Sequence, residues 1–390
     1  MGMAMRVSLP KLFELFAQLV AIPSVSSVDP RFNQSNRAVI ELLAEWLAAL
    51  GFEIELTTIS KAPDKLNLIA RLGKGVDGLV LSGHTDTVPF DEGAWTTDPF
   101  VLTEKEGRLY GLGTADMKGF FPLVIEAIRG LELSALKRPL IILATADEES
   151  TMAGARRLAQ SAKPLGHYAL IGEPTGLKPV HMHKGVLMGS IRLQGRAGHA
   201  SDPRLGNNAI DGMYQVIGAL LNWREELRTR YRNPLFEVME PTLNLGSIHG
   251  GDSPNRICAH CQLQVDIRLL PGMPLEEIQA TLKARVEQAI AGTGLAVQVS
   301  PIFNGVPAFA TSKDSWIVQM TEQLSGQDAG TVAFATEAPF LNTLGMETVI
   351  LGPGDIAQAH QADEFLAVER LQPMVELLRK LIVSFCTASC

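Results

Sequence analysis

Cysteine is scarce in this chain, with four in 390 residues at positions 258, 261, 386 and 390. That is too few for a disulfide framework and suits a reducing cytoplasm. A basic excess is also missing: 34 Lys and Arg stand against 42 Asp and Glu, a net charge of −8. A nucleic acid is therefore not the expected partner, because its binders normally present a basic face. No apolar run reaches the length of a membrane span. The most apolar stretch near the start, Lys11 to Ile22, is interrupted by Glu14 and Gln18. Its Leu12, Phe13, Phe16, Leu19 and Val20 recur at helical spacing, which predicts an amphipathic surface helix rather than a signal peptide. Met1-Gly2 opens no myristoylation motif, since Arg6 stands where Ser or Thr is required. What is plentiful is apolar side chain, 46% of residues, enough for a large core. With roughly 150 residues per domain as a prior, two domains are expected.

Residues 36 to 50 predict a helix ending at Gly51, and FEIELTT, LNLIARL and LVLSG predict strands. A helical pattern from Gly119 to Leu131 leads into PLIILATA, a continuous apolar run of the kind buried on both faces of a sheet, and YALIGE has the same character. Strands alternating with helices in this way indicate an α/β domain with a mostly parallel central sheet covered on both faces. The texture changes near Lys184. An alternating strand, a helix over 209 to 230, strands over 242 to 249 and 256 to 270, a helix over 274 to 290 and the segment LAVQVS make a ferredoxin-like β-α-β-β-α-β order. After about residue 302 the first style returns. We therefore expect a discontinuous catalytic domain, 1–184 with 303–390, interrupted by a lid or dimerisation domain over 185–302.

Five short segments concentrate chemistry: HTDTVP at 84 to 89, ADMKG at 115 to 119, ADEE at 146 to 149, GEPTG at 172 to 176 and AHQADE at 359 to 364. They offer His84, Asp86, Asp116, Glu148, Glu149, Glu173 and His360, imidazoles and carboxylates without a thiolate, the donor set of a two-metal hydrolase. His84 follows a predicted strand, as do the Glu148-Glu149 pair and Glu173, and open α/β sheets place active sites at the carboxyl ends of strands. Two residues after His84, Asp86 shares its face if the chain stays extended, so its carboxylate can hold the imidazole. Asp116 precedes a helix expected to begin near Met117, where an aspartate either bridges two cations or merely caps the helix. Taken singly, these residues read as turns, caps and acidic loop positions. Cys258 and Cys261 form a CxxC around His260, but on a strand residues three apart face opposite sides, so we read two ordinary strand residues rather than a zinc or redox pair.

Read in order with YGLGTADMKGFF, MAGAR, HKG, PTLNLGSIHGGD, NRICAHC, DIRLLPGM, TEAPF and LGPG, these segments resemble the acetylornithine deacetylase group of the dinuclear-zinc deacylases and aminopeptidases. That family also includes succinyl-diaminopimelate desuccinylase and aminoacylase, and the likeness covers essentially the whole chain. The resemblance implies a zinc-aminopeptidase-like fold with two divalent cations, zinc or cobalt. His84 and Glu173 would hold one, Glu149 and His360 the other, and Asp116 would bridge them, with the Asp116–Met117 peptide bond cis. Asp86 would orient His84, and Glu148 would act as general base toward a metal-bound water. His199, in GRAGHAS, would reach from a dimer mate to stabilise the oxyanion, the homodimer forming through the inserted domain. Asn255 and Arg268 would hold a substrate carboxylate. Glu337, in TEAPF, would pair with a side-chain ammonium unless it is a plain surface residue at a helix start. The implied reaction is hydrolysis of N2-acetyl-L-ornithine to L-ornithine and acetate, a cytoplasmic step of arginine biosynthesis on a small-molecule substrate, with no nucleic acid and no membrane involved. Another N-acyl amino acid hydrolase, the desuccinylase for instance, is the alternative enzyme; a non-catalytic relative is a third reading, against which the costly acidic cluster speaks.

Overall fold

The computed structural model describes residues 9 to 387; the readings of Met1, Gly2, Arg6 and Cys390 lie outside them. The described chain divides into two compact units. One comprises the residues up to His181, Thr311–Gly330 and those from Thr336 on, and the other comprises Met182–Ala310 with Thr331–Ala335. The second unit is thus wider than the 185–302 read from the sequence. Met182 and His183 pair with Ala310 and Phe309, and the Lys184 amide donates to the Val332 carbonyl at 3.3 Å, so both flanks and a later segment join it.

In the first unit the strands run, from one edge, Glu53–Lys61, Asp64–Leu72, Leu140–Thr145, Leu79–His84, Tyr168–Ile171 and Glu347–Ile350. The last four are mutually parallel, while the first two join antiparallel. Both faces are buried, as apolar runs such as LIILAT require. Leu79, Leu81, Leu140, Ile142 and Leu170 enter one core with the helices Arg37–Ala49, Phe120–Arg129 and Leu371–Cys386. The alternate residues Val80, Ile141, Leu143 and Ile171 are buried on the other side. Gly172 lets the chain cross the Phe120 ring: a Cβ there would lie 2.2 Å from Phe120 Cγ. Among the described residues no helix is long and apolar enough to cross a membrane.

A small sheet in the same unit pairs Phe365–Ala367 with Arg108–Tyr110, and Phe365 stands opposite Tyr110. This register brings the end of the chain beside the glycine-rich loop that carries Asp116. In the second unit the sheet order is Thr242–Gly250, His260–Leu269, Gly185–Gln194, Ala296–Pro301, antiparallel throughout. With the helices Ala209–Arg230 and Leu275–Ala289 this is the ferredoxin-like arrangement.

Candidate metal centre

Three neighbouring parallel strands deliver their carboxyl ends to one place. His84 is the last residue of Leu79–His84, Glu173 lies two residues beyond Ile171, and Glu148 and Glu149 follow Thr145 in a turn. His84, Asp116 and Glu173 bring ligand atoms within 4.8 Å of one another, and so do Asp116, Glu149 and His360. Asp116 is common to both groups. Its Oδ1 lies 3.1 Å from His84 Nε2, and its Oδ2 lies 3.5 Å from His360 Nε2. His360 Nε2 is also 3.0 Å from Glu149 Oε2. The helix after Asp116 begins only at Phe120, with Gly119 as its cap, so the capping alternative for Asp116 falls away. The Asp116–Met117 peptide bond is cis.

Electrostatics marks this cluster as one that wants cations. Burial, then the nearby Glu173, pushes the Glu148 carboxyl well above its ordinary range, and burial, with Asp116 and Glu149 close by, does the same to Glu173. Burial resists ionisation of Asp116, but hydrogen bonds with His360 and His84 outweigh it and hold that carboxyl below the usual range. Burial also works against protonation of His84, yet the Asp116 hydrogen bond and the surrounding carboxylates lift it well above its ordinary value. Asp116 and Glu149 raise His360 to about 10. Left to the side chains alone, then, protons occupy the positions where the charge is needed. Imidazole nitrogens and carboxylate oxygens in these two groups, and in a third of His84, Glu148 and Glu149, suit divalent cations of the zinc, cobalt and manganese class.

Asp86 differs from expectation in how it acts. His84 Nδ1 is 3.0 Å from the Asp86 backbone carbonyl and 3.8 Å from its carboxylate. The carboxylate turns instead toward the acidic turn and accepts from the Glu148 and Glu149 amides at 3.3 and 3.1 Å. Two backbone donors outcompete one ring nitrogen for it, so Asp86 steadies both ends of the site at once.

Glu337 is 1% exposed, which rules out a surface position. Its Oε2 accepts from Thr145 Oγ1 at 2.7 Å, its Oε1 has no partner, and burial pushes its carboxyl up to about 7. The other three candidates belong to the second unit. His199 is exposed, with Nδ1 2.7 Å from Ser201 Oγ, and the Ala200 amide donates to the Asn255 carbonyl, which joins their two loops. Exposed Asn255 accepts from Ser253 Oγ at 2.6 Å. Arg268 is half-buried and makes two hydrogen bonds to Asp266. Cys258 and Cys261 are both buried in the same core, contrary to the opposite-face argument, because the strand begins at His260 and Cys258 lies before it.

Sequence reasoning missed Lys65. Buried in the strand Asp64–Leu72, its ammonium lies 2.8 Å from Asp147 Oδ1, a pairing of charge rather than an aligned hydrogen bond. Ser26 Oγ donates to the same oxygen at 2.8 Å. Asp147 has a φ of +60° and opens the turn that presents Glu148 and Glu149. A lysine at the head of the run LNLIA carried the signal, since a charge entering a buried strand demands a partner.

The model of peptidase family M20/M25/M40 matches residues 80–384. The chain belongs to this family. Curated M20 relatives with the name acetylornithine deacetylase include one from Proteus mirabilis, 49% identical over 98% of this chain and 99% of its own. One from Pasteurella multocida is 48% identical over 97% and 99%. Among solved structures, an M20 family metallo-carboxypeptidase from Sulfolobus solfataricus superposes with a TM-score of 0.74 at 17% identity, covering 96% of this chain and 99% of that one. An aminopeptidase from Bacillus cereus gives 0.73 at 22%, covering 95% and 97%. These distant structures share the fold, a mostly parallel sheet with an inserted domain. Family and donor set together make this M20 member a metal-dependent hydrolase.

Proposed function

We propose that this M20 protein hydrolyses N2-acetyl-L-ornithine to L-ornithine and acetate with two divalent cations, zinc or cobalt, one between His84 and Glu173, the other between Glu149 and His360, and Asp116 shared. The observation that carries the reading is the pair of donor groups joined at Asp116, with Glu148 left as the further carboxylate within the same reach of His84 and Glu149. Such cations, when bound, polarise a carbonyl and make water a nucleophile near neutral pH. Glu148 takes the proton of the attacking water and passes it to the amine nitrogen that leaves. Asp86 holds the backbone from which Glu148 projects. The relatives' shared name supports the acetylornithine substrate, a small metabolite, and free thiols at Cys258, Cys261 and Cys386 suit a cytoplasmic site of action.

His199 donates a hydrogen bond to the tetrahedral oxyanion from a second subunit, and Asn255 and Arg268 grip the substrate carboxylate, Arg268 exchanging Asp266 for it. Support for a homodimer comes from exposed apolar side chains on the inserted unit: Ile210 at 45% and Tyr214 at 79% on one helix, and Ile248 at 51% on an edge strand. Tyr214→Glu with Ile248→Asp should sediment as a monomer and lose activity; a variant pair that remains dimeric, or a monomer at full rate, contradicts this arrangement.

Glu337 meets the substrate ammonium with Oε1, the oxygen that the Thr145 contact leaves unpartnered. Glu337→Ala should then raise KM for acetylornithine more than for acetylmethionine, and equal changes would sink the assignment. The test of the function as a whole is metal-stripped protein reloaded with zinc or cobalt and assayed on acetylornithine beside succinyl-diaminopimelate. Release of acetate is expected, and preference for the succinyl substrate, or no product with either metal, overturns the reading.

A further inference from the structure

Besides the exposed His360, the AHQADE segment contains a buried acid. Glu364 is 2% exposed and uses both carboxylate oxygens. Oε2 accepts from the Gly113 amide at 2.9 Å, and Oε1 accepts from the Ala115 and Asp116 amides at 2.8 and 3.0 Å. The Glu364 carbonyl accepts in turn from the Gly111 amide at 3.1 Å. One residue therefore ties down four amides of the loop that carries Asp116, those of Gly111, Gly113, Ala115 and Asp116 itself, and it does so from the segment that carries His360, four residues upstream.

A carboxylate is an expensive way to satisfy three amides. Neutral carbonyls satisfy such donors elsewhere in proteins without bringing a charge, whereas here burial, with Asp116 nearby, pushes the Glu364 carboxyl up to about 7 against the three amide hydrogen bonds that favour its charged form. What the carboxylate adds is stiffness: charge-assisted hydrogen bonds are shorter and about twice as strong as neutral ones, and both oxygens are held at once. Stiffness matters at Asp116 more than at the other ligands, because its two oxygens face different partners, His84 Nε2 at 3.1 Å and His360 Nε2 at 3.5 Å. A small rotation of its backbone would spoil both groups. Lys118, the nearest buried cation in the sequence, offers Glu364 its charge but no hydrogen bond, since its Nζ donates to the Leu19 and Ile22 carbonyls.

We propose that Glu364 is a positioning residue of the metal centre, its carboxylate holding the Asp116 backbone in register with His360 so that one aspartate serves both cations. The proposal rests on the two-cation reading above. It also predicts that Glu364→Gln is not a mild change: whichever way the amide is turned, its NH2 confronts a backbone N–H, either Gly113 or the Ala115 and Asp116 pair.

The probe is cobalt(II) alone, titrated into metal-stripped protein and followed by its visible absorption and by heat. The unsubstituted protein should take up two equivalents. Glu364→Gln should fold, bind cobalt about 10- to 100-fold more weakly and show altered absorption bands, the magnitude typical when a ligand's supporting hydrogen bond is lost. Glu364→Ala should be weaker still. A Glu364→Gln protein with unchanged affinity and bands, even one that melts earlier, shows a merely structural residue and overturns the proposal, as does failure of this isosteric variant to fold. Unsubstituted protein that takes up no cobalt strikes instead at the two-cation reading, and this proposal falls with it.

Discussion

Glu148 and Glu149 are adjacent in sequence and alike in chemistry, yet they stand in different relations to the cluster. Glu149 lies 3.0 Å from His360 in a group with Asp116, whereas Glu148 feels Glu173 and Glu149 as unfavourable neighbours. The left-handed Asp147 that precedes them turns the chain, and Asp86 fixes both amides, so two consecutive carboxylates take separate directions. If Glu148 moves protons while Glu149 holds metal, Glu148→Gln should lower kcat by roughly 10²- to 10⁴-fold with cobalt content and KM little changed. Elemental analysis beside steady-state kinetics checks this, and a variant that instead loses metal would assign Glu148 as a ligand.

At the scale of elements, the parts that could be read from the sequence are those whose pattern is local. The helix over 209 to 230 matches Ala209–Arg230, and the apolar runs became the parallel strands that end at the site. Less legible were contacts made across the chain. Nothing near Asp86 announces that its carboxylate will find the amides of residues 148 and 149, and nothing in DEF announces that Glu364 will find Gly113, because both depend on how strands far apart in sequence are ordered. The same holds for Gly172, whose reason is the Phe120 ring pressed against it. Gly172→Ala should cost about 1–3 kcal/mol by overpacking between strand and helix, or else displace Glu173 and weaken metal binding. Chemical denaturation with and without cobalt measures both effects; an unchanged midpoint and unchanged affinity would contradict the packing described.

For the molecule as a whole, the cluster makes the stability of the stripped protein fall as pH rises, and bound metal should offset that fall. In stripped protein the raised groups favour their protonated forms. Glu148 and Glu173 contribute most below their unfolded value near 4.5, and His360 contributes below 6.5, its share fading as pH rises toward 10. Asp116 runs the other way, but its pKa is depressed and its loss falls at acid pH, outside this window. Stripped protein should therefore melt at lower temperature as pH rises from about 5 to 9. Metal displaces those protons, so its affinity should climb over the same range and hold the loaded protein up, with proton release seen as a buffer-dependent heat of binding. Parallel pH profiles for the two forms would contradict the account.

The central claim, two cations sharing Asp116, is tested most directly by anomalous diffraction at the zinc edge from crystals of the loaded protein. The account predicts two peaks, one about 2.0–2.2 Å from donor atoms of His84, Asp116 and Glu173, the other at that range from Asp116, Glu149 and His360. A single peak, or a pair without Asp116 between them, would contradict it.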